Sequence, residues 1–501
     1  MRKVVHLLLL LMVCSCGCTK NQSAGLEDVF KPEEPEEPLA FREVRSRPNA
    51  TSNNWKTYTA RTIDRLPDYD PAKYGTISQG QYGGWQAGKY AATGFFRIEK
   101  LSVTDKSRWF IIDPEGYPYI HRGIAVFTPG SSDRQKAALL SKFGSSAVWA
   151  QKETEHIRTY GFNGAGAWSN TAEIRQLSNP PAYCIILSPM AALRNQMQAA
   201  GEDFSHAGWQ GYEYDIAPVW DSRFDACLEN ELKKAADYRN DKYLIGYFSD
   251  NELPWPDDAL DRCLTKFAAT NSSYVAAKKW IDDRKGKNAA ITDVTDADRQ
   301  AFTGFYFESY IKKVAETLRK YDPNHLFLGS KFNQEDEELI NPEIMKIAGK
   351  YSDIISIDHY RSWEPDNTMM ANWEAWSGKP FMIVEFYVKG EDSGLPNNTG
   401  AGWNVPTQAD RGYFYQNFTL KLINSAGCVG WHWFTYQDND PQNLNTDPSN
   451  RDSNKGIVTW DFQPYSPLLE NMKQLNDNVM NLLIFYGYYD IKKNLYKKQL
   501  L

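Results

Sequence analysis

Two glutamates stand where apolar runs give out. In Tyr247-Phe248-Ser249-Asp250-Asn251-Glu252-Leu253-Pro254-Trp255 a carboxylate follows a strand-like stretch, and in Pro380-Phe381-Met382-Ile383-Val384-Glu385-Phe386-Tyr387 another does the same. A carboxylate at the end of a buried strand is costly unless it has partners and a purpose. One such glutamate is as easily explained by solvation or by an arginine partner; two of them invite a chemical reading. Paired carboxyl groups with different pKa values are what hydrolysis of a glycosidic bond needs: one protonates the departing oxygen, and the other attacks the sugar or activates water. Their separation along the chain, 385 − 252 = 133 residues, carries no local meaning. The pairing holds only in a fold that gathers strand ends in one place.

The rest of the chain predicts such a fold. Short apolar runs at 122–127, 164–168, 183–187, 244–248, 326–330, 354–359, 381–386 and 428–434 alternate with longer helical patterns, for example at 302–321 and 410–426. Strands alternating with helices imply parallel pairing, and eight such units close into a (β/α)8 barrel. In that barrel the active site lies at the C-terminal ends of the strands, where Glu252 (fourth strand) and Glu385 (seventh strand) stand. An open doubly wound sheet is the alternative. It calls for a glycine-rich phosphate loop after an early strand, and Gly164-Ala165-Gly166 lacks the third glycine and the following helix.

Other candidates for chemistry are weaker. Asp250 would share a face with Glu252 only if the strand continued regularly through both, and it is expected to be structural or supporting. His121, His156, His206 and His325 have no metal-ligand spacing, and Cys184, Cys227, Cys263 and Cys428 are scattered and expected to be free. Asp438-Asn439-Asp440 could hold Ca2+, although a polar loop is the simpler reading. No metal or organic cofactor is indicated.

Asn251-Glu252 ending strand four and Glu385 ending strand seven resemble the clan of retaining (β/α)8 glycoside hydrolases known as clan A. The resemblance implies that Glu252 is the acid/base, that Asn251 contacts the sugar 2-hydroxyl and that Glu385 is the nucleophile. It also implies that His359 or Tyr360, at the end of strand six, orients the nucleophile, and that a Trp of Gly430-Trp431-His432-Trp433 floors the subsite. Trp433 is favoured as nearer the exit. Within the clan, three stretches are similar to the β-agarase families 50 and 86: Tyr247 to Trp255, the run Gly430-Trp431-His432-Trp433-Phe434-Thr435-Tyr436-Gln437-Asp438-Asn439-Asp440, and Gly94-Phe95-Phe96-Arg97 with Trp109 and Asp113-Pro114-Glu115-Gly116. The likeness spans roughly 94–482 and implies a β-galactosidic bond in a red-algal galactan such as agarose or porphyran. The alternatives are another β-glycan (glucan, mannan or galactoside) and a surface glycan-binding lipoprotein with a vestigial site. Trp168, Trp255, Trp363 and Tyr387 follow predicted strand ends and are expected to line the cleft, since aromatic faces with a polar edge suit sugar rings.

Composition agrees with an extracellular glycan partner. Among 501 residues, 14% are aromatic, including 16 Trp and 29 Tyr, and the net charge of -7 gives no basic footprint for nucleic acid. Met1-Arg2-Lys3 and the apolar run through Val13 read as a secretory signal at 1–18. Val13-Cys14-Ser15-Cys16 resembles a bacterial lipobox, which makes Cys16 the expected lipidation site and Cys18 the competitor. The Pro- and Glu-rich stretch within 19–54 reads as a disordered tether. An N-terminal extension with short strands is expected at 55–107, followed by a hairpin turning at Asp113-Pro114-Glu115-Gly116. The barrel is expected at 108–485 and a tail at 486–501. The expected location is outside the inner membrane, as a lipoprotein of the periplasm or the outer-membrane surface.

Overall fold

The computed structural model describes residues 41–102, 104–333, 339 and 341–490. Eight parallel strands close into a barrel in chain order: His121–Ala125, Gly164–Ala165, Ala182–Leu187, Leu244–Asn251, Leu326–Asn333, Ile355–Asp358, Phe381–Glu385 and Cys428–Phe434. The eighth pairs with the first through Gly430–His121 to Phe434–Ala125. The expected strands are all present; the second shrinks to two residues.

Helices follow the strands and start on local signals. Thr295 caps Asp296–Tyr321 with a reciprocal box to Asp298, and Thr407 does the same with Asp410 for Gln408–Ile423. Their apolar faces bury a shell of side chains between helices and strands, while a smaller cluster fills the barrel interior with Cys184, Ile245, Phe248, Leu328, Met382, Val384 and Val429. Strand alternation divides the two layers. On the eighth strand Trp431 and Trp433 belong to the outer shell, and His432 points inward.

The N-terminal region closes the barrel's lower end. An antiparallel sheet of Arg97–Ser102, Ser107–Ile112 and Pro118–Tyr119 leads straight into the first barrel strand, and its Phe96, Ile111 and Tyr119 join the interior cluster. Its turn is set by Asp113, whose Oδ1 accepts from Glu115 N and Tyr117 N, each at 2.9 Å. The tether boundary at residue 54 needs correction. Arg42–Ser46 pairs antiparallel with Lys56–Ala60, burying Val44 and Ala60, and the Arg45 and Arg47 guanidiniums lie over the Trp55 ring. Ordered structure therefore begins before the Pro/Glu-rich composition alone suggested. Cys16, Cys18 and the rest of 1–40 lie outside the described residues, as does 491–501. The start of the tail is docked: Tyr489 packs edge-on against Phe110, and Tyr488 lies under Arg108. Cys184, Cys227, Cys263 and Cys428 are free thiols, and no helix among the described residues is long and apolar enough to cross a membrane.

Candidate active site

A cavity of about 920 Å³ opens at the C-terminal ends of the strands and is lined by both Glu252 and Glu385, with Asn251, Tyr360, Trp168 and Tyr387 around them. The fold thus brings the two glutamates together.

Glu385 is held on both oxygens. Tyr360 donates its hydroxyl to Oε2, and Lys331 donates its ammonium to Oε1. Lys331 lies on the fifth strand with its side chain fully buried, and it also donates to Asn251 Oδ1 at 2.6 Å. Its Nζ is 3.1 Å from Asp358 Oδ2, an ion pair whose angle falls outside hydrogen-bond geometry. The Trp168 ring covers the ammonium, with the centroid 4.2 Å away. Burial opposes the lysine's charge, but Asp358, Glu385 and Glu252 outweigh it and hold its pKa above the usual value. Asp358 goes the other way: burial, reinforced by Glu385, pushes its carboxyl well above the usual range and so favours a proton there.

Glu252 sits just past the fourth strand. Its Oε2 accepts from Gln210 Nε2 at 3.1 Å and from Asn251 Nδ2 at 3.2 Å, and its backbone N–H donates to Lys331 O at 2.9 Å. One lysine therefore ties together the two strand exits: its carbonyl fixes the Glu252 backbone, and its ammonium joins Asn251 to Glu385. Asp250 faces away, as expected. It accepts from Met190 N and Ala191 N, both at 3.0 Å, at the start of the helix Pro189–Ala199, and from the Tyr310 hydroxyl at 2.8 Å. It anchors the strand end to the surrounding helices.

The fold has solved counterparts. The structure superimposes on the crystal structure of BpGH50 with a TM-score of 0.76 and 30% sequence identity, over 89% of this chain and 96% of that one. The chain belongs to glycoside hydrolase family 50. Another solved structure, an exo-β-agarase, shares the fold at 20% identity and a TM-score of 0.67, over 81% of this chain and 68% of that one. Among curated proteins, β-agarase B of Vibrio sp. (strain JT0107) is 23% identical over 500 residues, covering 80% of this chain and 50% of its own length. β-Agarase A of the same strain is 24% identical over 385 residues, 68% of this chain and 36% of its own length. The chain thus spans about half the length, or less, of these curated relatives. No family model matches it.

Within this family 50 glycoside hydrolase, the predicted binding residues divide. Asn251, Tyr360, Trp168 and Tyr387 line the cavity, and Trp168 is 40% exposed. Four others are buried elsewhere. Trp433 faces the outer shell, donates Nε1 to Lys455 O at 2.9 Å and packs on Phe386 and Tyr415. Period-two alternation puts it on one face with Trp431, but that face looks toward the helices; the next residue, Phe434, reaches the cavity instead. The His359 ring, also on the outward parity, packs edge-on against Phe418; its backbone N–H donates to Glu385 O at 2.8 Å, while Tyr360 is the one of the two whose side chain reaches the Glu385 carboxylate. Trp255 is enclosed by Tyr306, Phe307 and Tyr310 of one helix. Trp363 stacks on Tyr58 and donates to Thr59 O, joining the N-terminal hairpin to the barrel.

Sequence reasoning missed Lys331, Gln210, Trp209, Phe434 and Lys455. Lys331 had a signal, a lone charge one residue beyond the apolar run 326–330. Gln210 and Trp209 come from the long loop after the third strand. Lys455, whose pKa burial pushes down to about 8, comes from the loop after the eighth strand and donates to Asn450 Oδ1 at 2.5 Å. No period or motif announces such loop residues.

Proposed function

We propose that this hydrolase cleaves β-galactosidic bonds in a red-algal galactan of the agarose or porphyran type, with retention of configuration. Glu385 attacks the anomeric carbon while the Glu252 carboxyl gives its proton to the departing glycosidic oxygen. Glu252, now a carboxylate, takes a proton from water, and the resulting attack on the anomeric carbon releases Glu385. The observation that carries this reading is the asymmetric environment of the two glutamates. Glu385 has an ammonium and a phenol on its two oxygens, which orient the nucleophile and stabilise the carboxylate that leaves in the second step. Glu252 accepts from the neutral amides of Gln210 and Asn251, donors suited to a group that must alternate between acid and base. The amide of Asn251, fixed by Lys331, is the group we assign to the sugar 2-hydroxyl. The substrate class is supported by the relatives named as agarases and by Trp168 and Tyr387 in the cavity.

We also assign the protein to a site outside the inner membrane, held through a lipid on Cys16 or Cys18; the support is the lipobox-like sequence and the Pro/Glu-rich stretch behind it. Reducing-sugar release from agarose, porphyran, carrageenan, laminarin and mannan tests the main reading. Release from a galactan, lost in Glu252→Gln and Glu385→Gln, with the first-formed anomer of unchanged configuration by NMR, is expected. Full activity in Glu385→Gln, or an inverted first product, refutes the mechanism; release from laminarin or mannan alone refutes the substrate class.

A further inference from the structure

Below the catalytic cavity, inside the barrel, three side chains from three strands converge: His121 from the first, Cys184 from the third and His432 from the eighth. All are buried, and their nitrogen and sulfur atoms lie within 4.8 Å of one another. Spacing along the chain hides the group; barrel closure creates it. We propose that His121 Nε2, Cys184 Sγ and a ring nitrogen of His432 form a three-coordinate site for a soft monovalent metal ion, Cu(I).

Four observations carry this. First, the geometry is close to that of a ligand shell. His121 Nε2 and Cys184 Sγ are 3.9 Å apart, while a trigonal ion at about 2.0–2.1 Å from nitrogen and about 2.3 Å from sulfur separates the two by about 3.8 Å. Second, His121 is oriented for the task. Its Nδ1 pairs with the Tyr119 hydroxyl at 2.7 Å, fixing the ring and presenting Nε2 to the cluster. Third, His432 is fully buried with neither nitrogen hydrogen-bonded among the described residues, a costly state that a metal ligand would relieve. Fourth, the barrel makes room for these rings. A Cβ on Gly164 would fall 1.9 Å from His121 Cε1, and one on Gly123 would fall 2.5 Å from His432 Cδ2.

Charge selects the ion. Binding would release the Cys184 thiol proton to solvent, leaving a thiolate that cancels the single charge of Cu(I). A divalent ion would leave a net positive charge in an apolar interior, at a cluster with no carboxylate among its described ligands, that already feels Lys331 from the layer above. Thiolate and imidazole are also the donors that favour soft ions.

The test uses the full chain with Cys14, Cys16 and Cys18 replaced by Ala, titrated anaerobically with Cu(I) against the chelator bicinchoninate, and X-ray absorption on the loaded protein. One equivalent retained, with one sulfur and two nitrogen neighbours, and its loss in Cys184→Ser and His432→Gln, is the expected result. No retained copper, undiminished binding in Cys184→Ser, or preferential loading with Zn2+ under competition overturns the proposal. Should either variant fail to fold, the scatterer shell of the loaded parent decides: a shell lacking sulfur refutes the site.

Discussion

Replacing Lys331 by Met removes one positive charge from the centre of the site and keeps the aliphatic stem. The side chain is fully buried, so water cannot substitute for the lost ammonium. Glu385 Oε1, Asn251 Oδ1 and Asp358 all lose a partner. Breaking a buried ion pair from one side costs about 3–5 kcal/mol. Tyr360 still holds the other oxygen of Glu385, and Asp358, already displaced toward its protonated form, can relax by keeping its proton. The lower figure therefore applies, and about 3 kcal/mol placed on the ionised nucleophile lowers kcat/KM by about 10²-fold. Initial rates of reducing-end formation, on whichever galactan the wild type cleaves, measure the effect, and circular dichroism checks the fold. A folded Lys331→Met enzyme within threefold of wild type would show that Lys331 does not hold the nucleophile.

Other substitutions separate binding from packing. Trp168→Ala, which removes the exposed ring above Lys331, should raise KM about tenfold, equivalent to about 1.4 kcal/mol, with little change in Tm; an unchanged KM excludes it from sugar contact. Trp433→Ala should do the reverse, costing about 3–5 kcal/mol of stability through a core cavity while leaving KM of the folded fraction near wild type, as thermal denaturation beside kinetics would reveal. Asp250 gives a pH signature. Burial raises its pKa from 3.8 to about 6 in the folded state, so the native protein binds the extra proton between those values and stability falls as pH rises through that window. The loss amounts to about 3 kcal/mol at most, and Asp250→Asn should flatten the slope of unfolding free energy against pH between about 4 and 6; a slope identical to wild type counts against the buried carboxyl.

The barrel was legible because its signal is redundant. Each strand is an apolar run bounded by turn residues, and a shift of a residue or two at 122–127 or 354–359 leaves the count and the pairing intact. Glu252 and Glu385 were legible because a charge ending such a run is conspicuous. The aromatics were not. Alternation says that Trp431 and Trp433 share a face, but it does not say which face is the barrel interior, and both proved to pack on helices. The N-terminal hairpin was hidden because the Pro- and Glu-rich stretch before it and the polar run 47–56 carry no apolar period, and its strands find their burial on the helix Gln408–Ile423 of the distant barrel. His121, Cys184 and His432 met only through closure of the sheet, which no linear spacing encodes.

What alternation misses at the exits is itself informative. On the seventh strand Met382 and Val384 point into the barrel, so strict period two would turn Glu385 outward. A register shift between the sixth and seventh strands, after Ile357 and Ile383, pairs Asp358 with Glu385 and brings it to the cavity. On the fifth strand Leu326 and Leu328 point inward, and a bulge at Gly329, with φ at +77°, brings Lys331 inside against the same rule. The fourth strand ends on two left-handed residues, Asp250 at φ 51° and Glu252 at φ 47°, which send one carboxylate to the helices and the other to the cavity. Trp168, Val126 and Arg361, at φ 57°, 52° and 51°, also line the cavity from strand exits. Left-handed backbone costs a non-glycine residue about 1–2 kcal/mol, and such a cost persists only where surrounding structure over-determines it. Here the closed barrel supplies that rigidity. A regular barrel delivers at most every second residue of each strand to its interior, whereas this site needs Asn251 beside Glu252 and Lys331 against Glu385. Irregular exits are the means by which a period-two framework gathers those groups, and they are concentrated where substrate would sit.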